Sequence, residues 1–334
     1  MGNPVLIEVT RGELVESRHR GAVAVVDAQG RTVWSAGDIG APIYPRSAVK
    51  AIQALVLVES GAADRFGFGD EELALACASH SGEPGHVAGV LRMLARAGFD
   101  ATAVQCGAHR PRHRPSADAL VRAGEAPSPL HHNCSGKHAG FLCAACHLGA
   151  DAARYCERDH PVQRAVRAAL ENLSGVAIPD GHVGTDGCSV PTFALPLSAL
   201  ALAFARFATG EGVTPERAAA ARRLRKACAA KPWFVAGTGE FATEAMAHVG
   251  ERVFVKPGAE GVYVAALPAL GLGIAVKCDD GAGRAAEAIV ARVMARFLDD
   301  EAAAFLGRFA TVALRNWRGL AVGELRPAAA LTEA

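Results

Sequence analysis

The strongest constraint on the fold is the position of the strand signals, which fall at the two ends of the chain. Val5-Leu6-Ile7-Glu8-Val9 is followed by Ala22-Val23-Ala24-Val25-Val26, a turn at Asp27-Ala28-Gln29-Gly30, and Arg31 to Ala36. This pattern reads as an antiparallel hairpin with one buried face. Strand signals return only after Trp233, in Arg252 to Lys256, Gly261 to Leu267 and Gly271 to Cys278. Between them, from Pro45 to about Ala230, the pattern is helical, with Ala, Leu and Val segments separated by polar turns. Thr214-Pro215-Glu216 is a helix start, with a hydroxyl N-cap, Pro in the first turn and an acid at the positive end. The arginines and lysine that follow it read as a solvated basic face. A final helix is expected from about Arg284 to Leu298, with its apolar stripe at Ile289, Val290, Val293, Met294 and Phe297. The expectation is an α+β fold whose central antiparallel sheet draws on both chain ends, is flanked by helices and carries a helical insertion. Residues 1–45 with 231–334 would form the sheet part and 46–230 the mainly helical part, packed as one discontinuous unit.

Composition narrows the function. With 334 residues, 51% of them hydrophobic and 21% charged, the chain has the apolar material for a large core. A formal net charge of +1 gives no electrostatic footprint for nucleic acid or an anionic membrane. The longest apolar run, Phe193 to Ala205, contains Pro196 and stops at Arg206, short of the roughly 20 residues that cross a bilayer. Met1-Gly2-Asn3-Pro4 shows neither a basic n-region nor an apolar h-region, so the start reads as that of the mature protein. Nine scattered cysteines, an odd number, suit reduced thiols in a cytoplasmic protein.

Several segments concentrate chemistry. Pro45-Arg46-Ser47-Ala48-Val49-Lys50 opens an apolar helix expected to reach Ser60, and Ser47 and Lys50 stand one turn apart on the same face. Serine needs a base to become a nucleophile, and lysine serves only where burial or a nearby cation holds it neutral. The plain alternative is a helix cap beside a solvated lysine. Ala78-Ser79-His80-Ser81-Gly82-Glu83 is dense in hydroxyls at a turn, where they either relay protons or merely shape the turn. His131-His132-Asn133-Cys134-Ser135-Gly136-Lys137-His138 precedes a helix expected from Phe141 to Leu148. Thr185-Asp186-Gly187-Cys188 places a second cysteine in a glycine-containing loop, so two thiolates from separate loops and a nitrogen donor make a plausible zinc site. Cys143 and Cys146 fall in an apolar stretch and read as core. Lys256 closes a strand and is followed by Pro257-Gly258-Ala259-Glu260-Gly261, where backbone can approach a ligand.

A serine-x-x-lysine pair, a later serine motif and a strand-end lysine occur in the order of the serine β-lactamase and penicillin-binding protein signatures. The middle motif is Ser79-His80-Ser81 and the last is Lys256-Pro257-Gly258. With those departures the chain resembles the asparaginase II family, the class 3 asparaginases, built on the serine-β-lactamase-like fold. The likeness runs from Gly12 to Lys277. It implies an L-asparaginase hydrolysing L-asparagine to L-aspartate and ammonia, with Ser47 as nucleophile, Lys50 as its base, and Ser79 with Lys256 as a second serine–lysine pair. It further implies a zinc ion held by Cys134, Lys137 and Cys188 near the active site, and a homodimer. Charge and proximity to these motifs suggest Asp186 for the substrate's ammonium and Arg46 or His138 for its carboxylate. The rival readings are a glutaminase, amidase or peptidase of the same fold, and a non-catalytic zinc-stabilised binding protein.

Overall fold

A computed structural model describes residues 2–332; Met1, Glu333 and Ala334, at the limits of the expected sheet part, lie outside them. One eight-stranded antiparallel sheet organises the molecule. Its order is Val312–Arg315, Ala321–Pro327, Val5–Arg11, Leu14–Asp27, Leu272–Cys278, Val262–Leu267 and Phe254–Pro257, with Thr32–Ala36 also paired to Leu14–Asp27. Both ends of the chain therefore meet in one sheet, Ile7 opposite Pro327 on one side and Val23 opposite Val276 further in.

Consecutive residues Val23, Ala24 and Val25 have no exposed surface. Side chains alternate across a strand, so both faces of the sheet are covered. Helix Leu197–Thr209 packs on the central strands, and Gly273 sets the distance: a Cβ there would stand 2.0 Å from the Ala201 carbonyl oxygen. Helix Gly283–Ala295 packs on the strands Leu272–Cys278 and Val262–Leu267.

The helix expected from about Arg284 to Leu298 is not the last element of the chain. The helix expected at its close is followed by helix Asp300–Ala310 and the hairpin Val312–Arg315 with Ala321–Pro327. That hairpin forms the outer edge of the sheet and is mostly exposed on its first strand, which leaves little hydrophobic alternation to read.

The helical stretch contains the elements that carry the polar motifs. Ser135–His147 starts six residues before its expected start and is buried from Ser135 through Ala145. Its glycine is a packing requirement, because a Cβ on Gly136 would lie 2.3 Å from the Leu75 carbonyl oxygen. Cys143 is buried as expected, whereas Cys146, at the far end of the helix, is exposed. Thr214 caps its helix by accepting from Arg217 N–H, with Pro215 in the first turn. Of the basic row that follows, Arg217 and Arg223 are paired with Glu59 and Asp64. Two small antiparallel sheets accompany the helices, Pro42–Ile43 paired with the distant Leu195–Pro196 and the hairpin Val183–Thr185 with Pro191–Phe193. No helix among the described residues is long and apolar enough to cross a membrane.

Candidate active site

Two serine-bearing segments of chain converge beside the edge strand Phe254–Pro257. The first is the short helical turn Arg46–Val49, which leads through Lys50–Gln53 into Leu55–Glu59 and closes at Gly61. Arg46, immediately before Ser47, has a φ of 52°. A non-glycine residue in that region carries strain that its surroundings must hold. Here the holding group is Asp186, whose Oδ1 accepts from Arg46 Nε at 2.6 Å with both side chains largely buried. Asp186 itself sits at the start of the turn between Val183–Thr185 and Pro191–Phe193.

The second is the extended segment after helix Asp70–Ala76. Ser79 N–H donates to the Val235 carbonyl at 2.9 Å, and Ser81 Oγ donates to Glu83 Oε1 at 2.7 Å. Glu83 also accepts from the Thr238 amide and hydroxyl, both at 2.8 Å. These bonds hold its carboxyl below the usual range in spite of the opposing cost of burial. Gly237, at φ 117°, allows this contact, since a Cβ there would stand 1.9 Å from Ser81 Oγ.

Ser79 Oγ is the hub. Lys50 Nζ lies 3.0 Å from it and Lys256 Nζ 2.7 Å from it. Lys50 also donates to the carbonyls of Ala78 at 2.7 Å and Asn133 at 3.2 Å, and Lys256 to that of Pro257 at 3.1 Å. Both lysines are fully buried. Burial lowers the Lys50 amine below its ordinary value, and burial together with the nearby Lys50 charge pushes Lys256 well below it. An ammonium has only donors, so a serine hydroxyl between two amines can donate its own proton only if one of them is neutral. The geometry and the loss of hydration favour that state.

Ser47 faces the same space. A pocket of about 140 Å³ is lined by Ser47, Ser79, Arg112 and Asn133 and by the backbone-rich segment Pro257-Gly258-Ala259. Gly258 makes the closure possible, because a Cβ there would lie 2.5 Å from the Pro45 carbonyl oxygen. Ser47 Oγ has no hydrogen-bond partner among the described residues and is partly exposed to this pocket. A larger groove of about 400 Å³ lies elsewhere, lined largely by apolar side chains of helices Pro84–Arg96 and Arg114–Ala123.

The expected metal ligands also come together. Lys137 Nζ donates to Cys188 Sγ at 3.0 Å, and the Cys134 thiol, buried in the same region, donates to Asn133 Oδ1 at 3.3 Å. Cys134 is the N-cap of helix Ser135–His147. The adjacent Cys188 thiol and the neighbouring lysines hold the Cys134 thiol well below its ordinary value against the cost of burial, while Cys134 and burial push Cys188 up. Among the described residues no group of three or more His, Cys, Asp and Glu side chains is arranged for a metal. The set here is two sulfurs and an amine. Two buried thiols and one amine are a donor set that zinc accepts once the amine is neutral, whereas the neighbouring Cys188 and Cys134 raise the Lys137 amine above its ordinary value against the cost of burial.

His138 departs from its expected place. It is fully buried, its Nδ1 is 2.7 Å from the Tyr155 hydroxyl, and it is absent from the pocket lining. The helix begins before His138, and helical phase turns the ring into the core. Arg46 and Asp186, expected to hold opposite ends of a substrate, are bound to each other. Two pocket residues escaped the sequence reading as site residues, Arg112 and Asn133. Arg112 lies in Arg110-Pro111-Arg112-His113, a basic proline-containing turn that carries the only available signal.

In comparison with known proteins, the family model described as L-asparaginase II matches residues 7–327. No curated protein matches the sequence. Among solved structures, Mglu in its native form is 17% identical, with 80% of this chain and 61% of that chain covered and a TM-score of 0.43. A β-lactamase from Mycobacterium bovis is 15% identical over 80% of this chain and 89% of that one, with a TM-score of 0.36. A β-lactamase described as putative, from Bacteroides dorei, is 15% identical over 78% and 87%, with a TM-score of 0.38. The chain thus spans about three fifths of the length of Mglu.

Proposed function

The chain belongs to the L-asparaginase II family, and on that premise we propose that it is an amidohydrolase acting on L-asparagine through a Ser47 acyl-enzyme. The observation that carries this reading is Ser79 Oγ held between Lys50 and Lys256 beside a pocket that Ser47 also lines. Lys50, kept short of its full charge by burial, takes the Ser47 proton as the serine oxygen attacks the side-chain amide carbon. Backbone N–H groups at the Ser47 turn and along the segment after Lys256 stabilise the oxyanion. The proton that Lys50 has taken passes through Ser79, with Lys256 beside it, to the leaving nitrogen, the C–N bond breaks and ammonia departs. Water then cleaves the aspartyl ester, its proton returning through the same bases, and L-aspartate leaves with Ser47 restored.

Zinc is part of the proposal, held by Cys134, Lys137 and Cys188. When bound it supplies positive charge that organises the turn carrying Asp186 and, through it, Arg46 beside Ser47. Assembly as a homodimer belongs to the same reading, and light scattering on the purified chain reads it directly.

Ammonia release from L-asparagine and L-glutamine, run beside Ser47→Ala, tests the function. Release from asparagine that disappears in Ser47→Ala supports it; preference for glutamine would reassign the substrate to the longer amide. Release from neither would overturn it in favour of a binding protein.

A further inference from the structure

Once the cations around the pocket are accounted for, one remains. Arg46 is committed to Asp186 at 2.6 Å. Lys50 and Lys256 are fully buried and donate to Ser79 and to main-chain carbonyls. Arg112 is the only lining side chain that carries a charge. Its Nη2 donates to the Ser79 carbonyl at 2.5 Å, and its nearest carboxylate oxygen, Glu240 Oε1, is 3.8 Å away, beyond hydrogen-bond range. A guanidinium has five N–H donors in a planar fork. One is committed to Ser79, and among the described residues the others have no hydrogen-bonded acceptor.

The arginine is also fixed in place. Its neighbour His113 donates its backbone N–H to the Ser81 carbonyl at 3.0 Å, and Pro111 packs so closely on Gly82 that a Cβ there would lie 3.0 Å from Pro111 Cα. The segment bearing Arg112 is therefore clamped to the segment bearing Ser79. With about 39% of its side chain exposed, Arg112 can meet a ligand arriving from solvent. The pocket's volume of about 140 Å³ is below the roughly 300–1,000 Å³ typical of sites for drug-sized ligands. It suits a molecule the size of one amino acid.

We propose that Arg112 anchors the α-carboxylate of the substrate, so that the enzyme acts on small amino-acid amides whose α-carboxylate is free and discriminates against the same amide with that carboxylate masked. This inference rests on the amidohydrolase reading for its substrate and on the pocket alone for its anion. Guanidinium matches carboxylate in a two-point contact that a lysine cannot reproduce. A carboxylate placed there tethers one end of the substrate while leaving the side-chain amide for Ser47. Truncated or masked substrates then lose the orientation that the tether supplies.

The test uses the full chain with Arg112→Gln and Arg112→Lys. Ammonia release is measured with L-asparagine and with its α-amide, in which the carboxylate is masked, and L-aspartate binding is measured by calorimetry. The expected result for Arg112→Gln is a KM for L-asparagine raised about 10- to 100-fold, the loss of one charge-assisted contact, with kcat changed much less. L-aspartate binding weakens by a similar factor, Arg112→Lys recovers part of the loss, and turnover of the α-amide, already poor in the parent, hardly changes. Equal losses on both substrates would overturn the proposal, because they would mean that Arg112 acts only by holding the Ser79 carbonyl. An unchanged KM for L-asparagine would overturn it as well. If the parent chain releases no ammonia yet binds L-aspartate in an Arg112-dependent way, the anchor stands and the amidohydrolase reading falls; if it neither turns over the amides nor binds L-aspartate, both fall.

Discussion

Lys50 and Lys256 converge on one oxygen, Ser79 Oγ, at 3.0 and 2.7 Å in a fully buried setting. Two ammonium groups cannot share an acceptor so close together without repulsion that burial leaves unscreened. The pair therefore titrates as a unit, and its apparent values belong to both amines.

The pH dependence follows from that unit. With the neutral amine as the proposed base, activity is expected to be lost as pH falls through the depressed folded-state value and to rise to a plateau above it. Lys256→Met is expected to remove or displace this limb of the kcat/KM profile. Stability carries the same sign. Between the depressed value and about 10.4, where a free lysine titrates, the unfolded chain binds more protons, so stability rises with pH across that window. Denaturant midpoints measured from neutral to alkaline pH should climb in the parent and climb less in Lys256→Met. Identical slopes would show that Lys256 is not held neutral.

Ser79→Ala removes the acceptor that both amines share. Loss of a positioned proton relay costs on the order of 10²- to 10⁴-fold in rate, and kcat for L-asparagine should fall within that range with a smaller change in KM. Ser79→Thr, which keeps the hydroxyl, should retain part of the rate. Steady-state ammonia release with circular dichroism as a folding control decides it, and full activity in Ser79→Ala would remove the second pair from the mechanism.

For zinc, the purified full chain is expected to contain about one equivalent, because structural thiolate sites hold the metal through purification. Elemental analysis of Cys134→Ser and Cys188→Ser should show most of it gone. A chelator should lower the melting temperature of the parent and leave that of Cys188→Ser unchanged. A metal-free parent that ignores chelators would sink the zinc site.

Two glycines separate packing from propensity. At Gly273 a Cβ would lie 2.0 Å from the Ala201 carbonyl oxygen and 2.4 Å from the Ala205 nitrogen, both backbone atoms. Gly273→Ala should cost about 2–3 kcal/mol or more, as overpacking does. Gly307, inside helix Asp300–Ala310, has nothing within 4 Å of such a Cβ. Gly307→Ala should stabilise by about 0.5–1 kcal/mol. Urea denaturation of both variants measures the contrast, and the same sign in both would refute the packing account.

The sequence was most legible where local pattern and tertiary demand agree. The hairpin through Asp27-Ala28-Gln29-Gly30 alternates cleanly because its strands face a core, and the structure has it as Leu14–Asp27 against Thr32–Ala36. The edge hairpin near the C-terminus escaped because its first strand is largely exposed and so has no burial pattern to display. Helix Ser135–His147 was begun too late because Gly136 and Gly140 look like loop residues; close packing on Leu75 is what requires the first of them. At the site, Ser47, Ser79 and Lys256 stood out through the order of their motifs and the family resemblance that order carries, and the structure gathers them around one pocket and its hub. Arg112 and Asn133 were not, since what brings them there is the contact of two irregular segments, and no periodicity records such a contact.

The meeting of the two chain ends in one sheet has a consequence in time. During synthesis the strand Val5–Arg11 is made long before its partner Ala321–Pro327 and stays unpaired on that side until the chain has passed residue 327. Lys256, too, arrives long after the serines it serves. Long-range pairings of this kind close slowly, because the loop entropy is lost before the contacts form. A nascent chain thus holds Ser47 and Ser79 without Lys256, and the proposed site is completed only late, when the sheet closes.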